Sequence, residues 1–216
     1  MRAVILAAGE GKRFDVPYPK CFSSVGGIPI IDRLIEQFRH VGVRDIYVVV
    51  RASSRWYKAW WRISAILPIA VIVIGDTKTA FDSFRAAMTH ISSDDSIIVI
   101  LGDCVVDTFV IERLVTNLLG VLVIKYPSGE MRRGDDFLGM SIPGSCLSSF
   151  MRVSLTVDSM RHQDFFIGHA QDFPIRMLSF TTKPWVNVNK VEDVQKATAF
   201  LKAQEKGETN QAPSAD

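Results

Sequence analysis

Short apolar runs rich in Val and Ile alternate with amphipathic stretches along the first 125 residues. The pattern predicts strands at 2–7, 45–50, 70–74, 96–101 and 121–125, and helices at 29–40, 55–67, 80–91 and 109–119. Continuous apolar strands between helices are typical of a parallel sheet that is covered on both faces. We therefore expect an α/β fold, with a doubly wound, mostly parallel sheet and helices on both of its faces.

After residue 125 the alternation is shorter and less regular. The stretch 127–144 is rich in Gly, Pro and charge, and it predicts a long exposed loop or hairpin tip. The remainder predicts a helix near 158–170, strands near 175–180 and 185–189, and a helix near 191–203. We expect one domain over 1–204, in two halves (1–125 and 126–204), and a disordered tail at 205–216 that lacks large apolar residues.

Composition excludes several classes of protein. The chain has 216 residues, 48% of them hydrophobic, and its 25 cationic and 23 acidic side chains are mixed, so nucleic acid is not an implied partner. Three scattered cysteines (Cys21, Cys104 and Cys146) suggest neither a disulfide framework nor a zinc site, and they fit a reducing cytoplasm. The apolar stretch 66–74 is far shorter than the ~20 residues that span a membrane, and the N-terminus does not read as a signal peptide.

The first strand runs into a loop that is rich in glycine and positive charge. Gly9 and Gly11 are followed by Lys12 and Arg13, and a short polar stretch then leads to Pro19-Lys20. Glycines allow the backbone N–H groups to approach a ligand closely, and the cations complement a polyphosphate. We therefore expect a nucleoside triphosphate as the ligand, with an ordinary tight turn as the alternative.

Two familiar phosphate-binding motifs fit this loop poorly. A dinucleotide-binding fingerprint requires a third glycine where this chain has Phe14. A P-loop requires a Ser or Thr directly after the lysine, and Arg13 stands there.

The opening segment resembles the signature L-A-A-G-x-G-x-R…P-K of the nucleotidyltransferases, which join a nucleoside triphosphate to a phosphorylated small molecule. Further similar segments are Val25–Ile30, Asp45–Val50, Leu101–Asp103 and Trp185–Asn189, so the resemblance covers roughly residues 1–200. It implies a Rossmann-like nucleotidyltransferase fold, with a nucleotide-binding half at 1–125 and an acceptor-binding half at 126–204. It also implies transfer of a nucleoside monophosphate to a phosphorylated sugar or similar acceptor, with release of pyrophosphate, in a cytoplasmic enzyme of sugar-nucleotide biosynthesis.

The resemblance implies roles for individual residues around the triphosphate. Arg13 would hold the departing pyrophosphate, and Lys20 would hold the α-phosphate and the incoming anion. The implied nucleotide-binding residues are Leu6, Ala7, Ala8, Gly9, Gly11, Asp76, Thr77 and Thr79. Because an acceptor phosphate is already an anion, the reaction needs no general base, and catalysis is expected to be electrostatic.

A magnesium site and an acceptor contact are also implied. Asp103 follows the most apolar strand, and Asn187 or Asn189 would supply a second ligand for Mg²⁺ at a place where many relatives carry Asp. The alternative for Asn189 is capping of the helix that begins near Val191, and Asp107 is expected to be a helix cap rather than a ligand. Lys183 corresponds to a lysine that binds the acceptor phosphate in some relatives.

Two other functions and one assembly remain open. A glycosyltransferase that uses a nucleotide sugar would need a D-x-D motif, which Gly102-Asp103-Cys104-Val105 does not provide. A non-catalytic nucleotide-binding domain is compatible with asparagine at both 187 and 189. Trp56, Trp60 and Trp61 on the helix at 55–67 would favour a homodimer if they are exposed. The base and the acceptor cannot be read from the sequence.

Overall fold

The computed structural model describes residues 1–9, 18–53, 69–91, 95–117, 120–127, 130, 132–169, 171–180 and 182–206. Its strands are β1 (Arg2–Leu6), β2 (Ser24–Val25), β3 (Ile28–Pro29), β4 (Asp45–Arg51), β5 (Ala70–Ile74), β6 (Ile97–Leu101), β7 (Cys104–Val106), β8 (Val121–Tyr126), β9 (Asp136–Ile142), β10 (Ile175–Ser179) and β11 (Trp185–Asn187). Its helices are α1 (Ile30–His40), α2 (Ala80–Met88), α3 (Thr108–Thr116), α4 (Gly144–Thr156), α5 (His162–Gly168) and α6 (Val191–Glu205). The predicted helix at 55–67 with its tryptophans, and the end of the tail from residue 207, lie outside the described residues.

A seven-stranded sheet runs through the centre of the protein in the order β10-β8-β9-β6-β1-β4-β5. The pairs β6-β1, β1-β4, β4-β5 and β8-β10 are parallel. Only β9, within this sheet, runs antiparallel to its two neighbours β6 and β8. The predicted mostly parallel α/β sheet is confirmed.

Apolar side chains cover both faces of the sheet. Along β1, Ala3 and Ile5 face one apolar layer and Val4 and Leu6 the other, because successive side chains of a strand point to opposite faces. Helices α1, α3 and α6 pack on the first face, and α2, α4 and α5 on the second. None of the helices in the described residues is long and apolar enough to cross a membrane.

The prediction of a long exposed loop or hairpin tip over 127–144 is wrong for its second half, which forms β9, a strand that is almost entirely buried within the sheet. The hairpin is confirmed, because β9 pairs antiparallel with β8, the strand that precedes it in the chain. Strand β9 contains Gly139, and a Cβ there would lie 2.5 Å from the Val99 backbone oxygen. Gly139 is therefore required for the close approach of the β9 and β6 backbones rather than for a turn. A glycine at this position makes the strand hard to recognise from the sequence. Helix α4 was also missed, because Ser, Cys and Val within Gly144–Thr156 give it a weak helical signal.

A buried ion pair closes the connection between β8 and β9. The Lys125 side chain is fully buried, and its Nζ donates to Asp135 Oδ2 at 2.6 Å and to the Glu130 backbone oxygen at 2.8 Å. Burial would raise the pKa of Asp135, but the hydrogen bonds from Lys125 and the Arg132 backbone N–H outweigh it and lower the pKa. The Asp135 carboxylate is thus held in its charged form.

Lys125→Met is expected to destabilise the protein by roughly 3–5 kcal/mol, because it leaves the buried Asp135 carboxylate without its cation. The matched control is Lys196→Met, since Lys196 pairs with Asp193 while its side chain is 71% exposed. Exposed pairs contribute about 0–1 kcal/mol. Urea denaturation measures both values, and equal losses in the two variants would contradict the role given to the buried pair.

A buried histidine at the start of α5 makes the stability of the protein depend on pH. His162 is buried, stacks on Phe137 with ring centroids 4.1 Å apart, and contacts Phe81 edge-on. Burial lowers the pKa of His162 to about 3, against the opposing charge of Asp82. The ring is therefore neutral in the folded protein.

Acidification is expected to destabilise the wild type below about pH 6.5, where a histidine of the unfolded chain binds a proton and His162 does not. The contribution of the neutral His162 to the free energy of unfolding is complete above the pKa that the residue has in the unfolded chain. It is lost as the pH falls towards the pKa in the folded protein, about 3. His162→Phe should make the dependence of unfolding free energy on pH shallower, by up to ~1.4 kcal/mol per pH unit. The exposed His90 provides the control variant His90→Phe, which should keep the wild-type slope.

Candidate active site

The carboxyl ends of four parallel strands, β5, β4, β1 and β6, open into one cavity of about 850 Å³. In open α/β sheets, this edge is where ligands bind. The cavity is lined by Leu6, Ala7, Ala8, Gly9, Lys20, Cys21, Arg51, Asp76, Thr77, Lys78, Thr79, Ala80, Ser83, Leu101, Gly102, Asp103 and Asn189. Most of the predicted nucleotide-binding residues are in this set.

The ends of β1 and β6 are held together at the floor of the cavity. The Gly102 N–H donates to the Leu6 carbonyl at 2.9 Å, and the Ala7 N–H donates to the Val49 carbonyl at 2.8 Å. A Cβ on Gly102 would lie 2.9 Å from the Leu6 carbonyl oxygen, so glycine permits the close approach. Asp103 consequently projects beside the start of the loop that follows β1.

Lys20 joins three distant parts of the chain within this cavity. It begins a short 3-10 turn after Pro19, and the Ser23 N–H donates to its carbonyl at 3.0 Å. Its Nζ forms an ion pair with Asp103 Oδ2 and donates to Asn189 Oδ1 at 2.9 Å. The side chains of Lys20 and Asp103 are only 17% and 19% exposed, so water screens this pair weakly.

The two candidate asparagines have different partners. Asn189 reaches Lys20, whereas the Asn187 Oδ1 accepts from Lys183 Nζ at 2.6 Å and from Trp185 Nε1 at 3.0 Å. Neither asparagine caps α6, because the N-cap residue of this helix is Lys190. Asp193 Oδ2 accepts from the backbone N–H groups of Asn189 and Lys190 at 3.0 Å. The capping alternative for Asn189 is therefore wrong, and Asn189 is the asparagine that lies with Asp103.

The two oxygen atoms that contact the Lys20 ammonium would suit a magnesium ion as ligands. A carboxylate and an amide oxygen both point at one positive group, which acts as a stand-in cation. Magnesium is usually held by one or two such protein oxygens together with substrate phosphates. The described residues contain no cluster of three or more His, Cys, Asp or Glu side chains that could hold a metal without such help.

One wall of the cavity is the segment between β5 and α2. Thr79 caps α2, accepting from the Asp82 N–H at 3.1 Å and donating its hydroxyl to the Met160 carbonyl at 2.8 Å. The Thr77 and Ser83 hydroxyls are 2.7 Å apart, and Asp76 is largely exposed at the cavity mouth. Thr79 is therefore the N-cap of α2 and also part of the cavity wall.

Asp82 anchors this wall to the second half of the chain. Burial would raise the pKa of Asp82, but hydrogen bonds from Ser159, Thr79 and Arg85 outweigh it and lower the pKa. Arg85 also donates to the carbonyls of Ser154 and Val157, at the end of α4. The position of the cavity wall therefore depends on contacts with the second half.

Arg51 is a cavity residue that the sequence analysis missed. It ends β4, its side chain is 10% exposed, and its Nη2 donates to the Thr77 carbonyl at 3.1 Å. Its Nη1 lies 3.5 Å from Asp76 Oδ1. A charged residue at the end of the apolar run Ile46–Val50 was the available signal. Cys21 and Ser83 were likewise missed.

Lys183 lies outside the lining of the cavity. Its Nζ donates to Asp136 Oδ2 at 2.5 Å as well as to Asn187, and it lies 5.3 Å from the centre of the Trp185 ring. Strand β11 pairs with β7, which follows Asp103 directly. The pairing of β11 with β7 thus links the segment of Lys183 to the edge of the cavity. The side chain of Lys183 itself contacts β9 and β11.

The two buried cysteines near Asp103 are poor nucleophiles. Burial, reinforced by the negative charge of Asp103, raises the pKa of Cys21 to about 12. The same two causes raise the pKa of Cys104.

Asp107 accepts from the Phe109 N–H at 3.3 Å and caps α3, as predicted. Gly11 and Arg13 lie outside the described residues.

Comparison with known proteins shows which family model the chain matches. The family model described as a MobA-like NTP transferase domain matches residues 3–202. The bifunctional protein GlmU of Blochmanniella pennsylvanica is 33% identical over 107 residues, 47% of this chain and 22% of GlmU. The bifunctional enzyme IspD/IspF of Erythrobacter litoralis is 31% identical over 121 residues, 54% of this chain and 30% of that enzyme. These alignments span less than a third of each relative's length.

Solved structures agree with the fold. The 4-diphosphocytidyl-2C-methyl-D-erythritol synthase of Anaerococcus prevotii superposes with a TM-score of 0.70 at 12% identity, covering 93% of this chain and 97% of that one. A Bacillus anthracis protein assigned as a glucose-1-phosphate thymidylyltransferase gives a TM-score of 0.69 at 13% identity, covering 98% and 97%. At these identities the likeness establishes the Rossmann-like nucleotidyltransferase fold alone.

Proposed function

The chain belongs to the MobA-like NTP transferase domain family, and from that premise we propose that it transfers a nucleoside monophosphate from a triphosphate to a phosphorylated sugar or similar small acceptor, releasing pyrophosphate. The observation that best supports this proposal is the convergence of Lys20, Asp103 and Asn189 in the cavity at the strand ends. The lysine ammonium suits the binding of polyanions directly, and the carboxylate and amide oxygens suit a divalent cation that would neutralise their charge.

In the proposed reaction, an oxygen of the acceptor phosphate attacks the α-phosphorus of the triphosphate in line. A new P–O bond forms as the bond between the α-phosphorus and the bridging oxygen breaks, and pyrophosphate leaves. The attacking oxygen is already ionised, so no side chain has to remove a proton. The raised pKa of Cys21 is consistent with a site that works by charge and position.

Each residue then has a role. Leu6, Ala7, Ala8 and Gly9 supply the backbone surface for the triphosphate, and Lys20 stabilises the charge that develops at the α-phosphate. Asp103 and Asn189 would hold Mg²⁺, which when bound would screen the charges of the phosphates. Arg13 and Gly11 enter the proposal on the resemblance of the opening motif.

The two halves of the domain at 1–204 divide the substrates in this proposal. Asp76, Thr77 and Thr79 contact the base and ribose, with Arg51 fixing the backbone of this segment. Lys183 receives the acceptor phosphate in place of its present partner Asp136. The two solved structures named above are called a glucose-1-phosphate thymidylyltransferase and a 4-diphosphocytidyl-2C-methyl-D-erythritol synthase. Glucose 1-phosphate and a phosphorylated 2-C-methyl-D-erythritol are therefore acceptors to try. A cytoplasmic enzyme fits the three free cysteines.

Pyrophosphate release from a panel of CTP, GTP, UTP and ATP, each paired with each acceptor, tests the proposal. We expect release that requires both a triphosphate and an acceptor. A glycosyltransferase would release no pyrophosphate, and a non-catalytic domain would bind a triphosphate, as a rise in melting temperature reveals, without turnover. Either result would contradict the proposed reaction.

The two asparagines should respond differently to a carboxylate. Asn189→Asp adds a negative charge beside Asp103, so we expect the Mg²⁺ concentration at half-maximal rate to fall by roughly tenfold. Asn187→Asp should leave it within about twofold, because Asn187 contacts Lys183 and Trp185 instead. The opposite ranking would move the magnesium site to Asn187.

A further inference from the structure

The Lys20 ammonium lies where the proposed function requires a divalent cation. Its Nζ contacts Asp103 Oδ2 and Asn189 Oδ1, which are the two oxygen donors assigned to Mg²⁺. The contacts connect residues that are 83 and 169 positions apart in the chain, so they depend on the folded cavity rather than on local sequence.

One pair of oxygens cannot bind both cations at once. An ammonium and a metal at this position would overlap, and two positive charges so close together in a weakly screened cavity repel strongly. Lys20 must therefore move before a metal can bind to Asp103 and Asn189. The lysine has a flexible four-carbon stem on a fixed turn, so its Nζ can move while its backbone stays in place.

We propose that Lys20 is an internal counterion that blocks the metal site of the substrate-free protein, and that the site opens when triphosphate oxygens attract the Lys20 ammonium. The inference rests on the proposed function and adds an order to it, because the divalent cation binds together with the nucleotide and not before it. Coupling of this kind is reciprocal, so each ligand raises the affinity for the other.

A second lysine in the structure provides a matched control. Lys183 also bridges a carboxylate and an asparagine, with its Nζ 2.5 Å from Asp136 Oδ2 and 2.6 Å from Asn187 Oδ1. Lys183→Met removes the same charge and frees a carboxylate and an amide oxygen that do not line the cavity, those of Asp136 and Asn187. It thereby separates a specific site from a general effect of losing a lysine.

The experiment measures binding of Mn²⁺, as the probe for the divalent site, to the protein without nucleotide, from the paramagnetic resonance signal of free Mn²⁺. We expect Lys20→Met to bind Mn²⁺ at least ~10-fold more tightly than the wild type, because removing the ammonium frees both oxygens. Lys183→Met should stay within about threefold of the wild type. Adding Asp103→Asn to Lys20→Met should abolish the gain.

Equal affinities in Lys20→Met and the wild type, or an equal gain in Lys183→Met, would overturn the inference. Thermal unfolding with and without Mn²⁺ checks that each variant is folded, and Lys20→Gln provides a second replacement that keeps a polar side chain. No substrate is present in this measurement. A negative result therefore leaves pyrophosphate release as a separate question, and the absence of pyrophosphate release would not by itself change the metal affinities.

Discussion

Replacing Lys20 by alanine is expected to lower turnover by at least ~100-fold, because removing one preorganised positive donor from a developing charge typically costs ~3 kcal/mol. Lys20 is the cation of the described cavity that lies with Asp103 and Asn189, and its side chain is 17% exposed. Loss of its ion pair with Asp103 should lower the free energy of unfolding, but both side chains border the open cavity, so water can solvate Asp103 and we expect the variant to remain folded.

Steady-state turnover of Lys20→Ala, with saturating triphosphate and acceptor, measures this effect. The control is Lys190→Ala, since Lys190 is exposed and follows Asn189 directly in the chain. It should keep turnover within about twofold of the wild type. Near-normal turnover in Lys20→Ala would remove the loop after β1 from the proposed catalysis. Together with tighter Mn²⁺ binding in Lys20→Met, the loss would separate the catalytic role of the lysine from its role as counterion.

Asp103→Ala is expected to lower turnover by roughly 1,000-fold or more, because Asp103 is the carboxylate that would hold the metal ion in the proposed reaction. Gly102 positions Asp103 by its hydrogen bond to Leu6, and the Val188 N–H donates to the Asp103 carbonyl at 2.8 Å. These backbone contacts survive the substitution, so the protein should still fold.

Turnover over a range of Mg²⁺ concentrations measures the second effect. Asp107→Asn is the control, since it changes a carboxylate four residues along the chain while keeping an acceptor that can cap α3. We expect this control to retain turnover within about threefold of the wild type. If Asp103→Ala works as well as the wild type at the same Mg²⁺ concentration, the metal binds elsewhere.

The strands that carry the cavity could be predicted because each is a continuous apolar run. Strand β6 is buried along Ile97–Ile100, and such a run between helices has few alternatives to a central parallel strand. The loop chemistry at the ends of these strands could also be predicted, since Gly9, Asp103 and the segment 76–79 follow apolar strands that end at the same edge. Sheet topology then brings them together.

The antiparallel strand β9 could not be recognised for a physical reason. The residue that precedes it, Asp135, is charged, and Lys125 of β8 neutralises that charge inside the protein. In the sequence, the same charges indicate an exposed loop. Gly139 also makes the strand hard to recognise, because it permits a close approach to Val99 and does not form a turn. Pairing across the sheet is a tertiary property that local pattern does not contain.

The choice between Asn187 and Asn189 also depended on tertiary structure. The two residues are two positions apart, and Asn187 is the last residue of β11 whereas Asn189 lies beyond the strand. The pairing of Asn187 with Cys104 fixes this end of β11. It leaves Asn187 with Lys183 and Trp185, and Asn189 with Lys20. Similarly, Arg51 joins the cavity only because β4 ends beside β5.

The fate of the α-phosphate tests the central claim most directly. A triphosphate labelled with ³²P at the α position, and the same triphosphate labelled at the γ position, would each be incubated with the protein, Mg²⁺ and an acceptor that supports pyrophosphate release. Nucleotidyl transfer predicts that the α label appears in a product that contains the acceptor, while the γ label appears only in pyrophosphate. Release of the γ label as inorganic phosphate, or an α label that never joins the acceptor, would contradict the account.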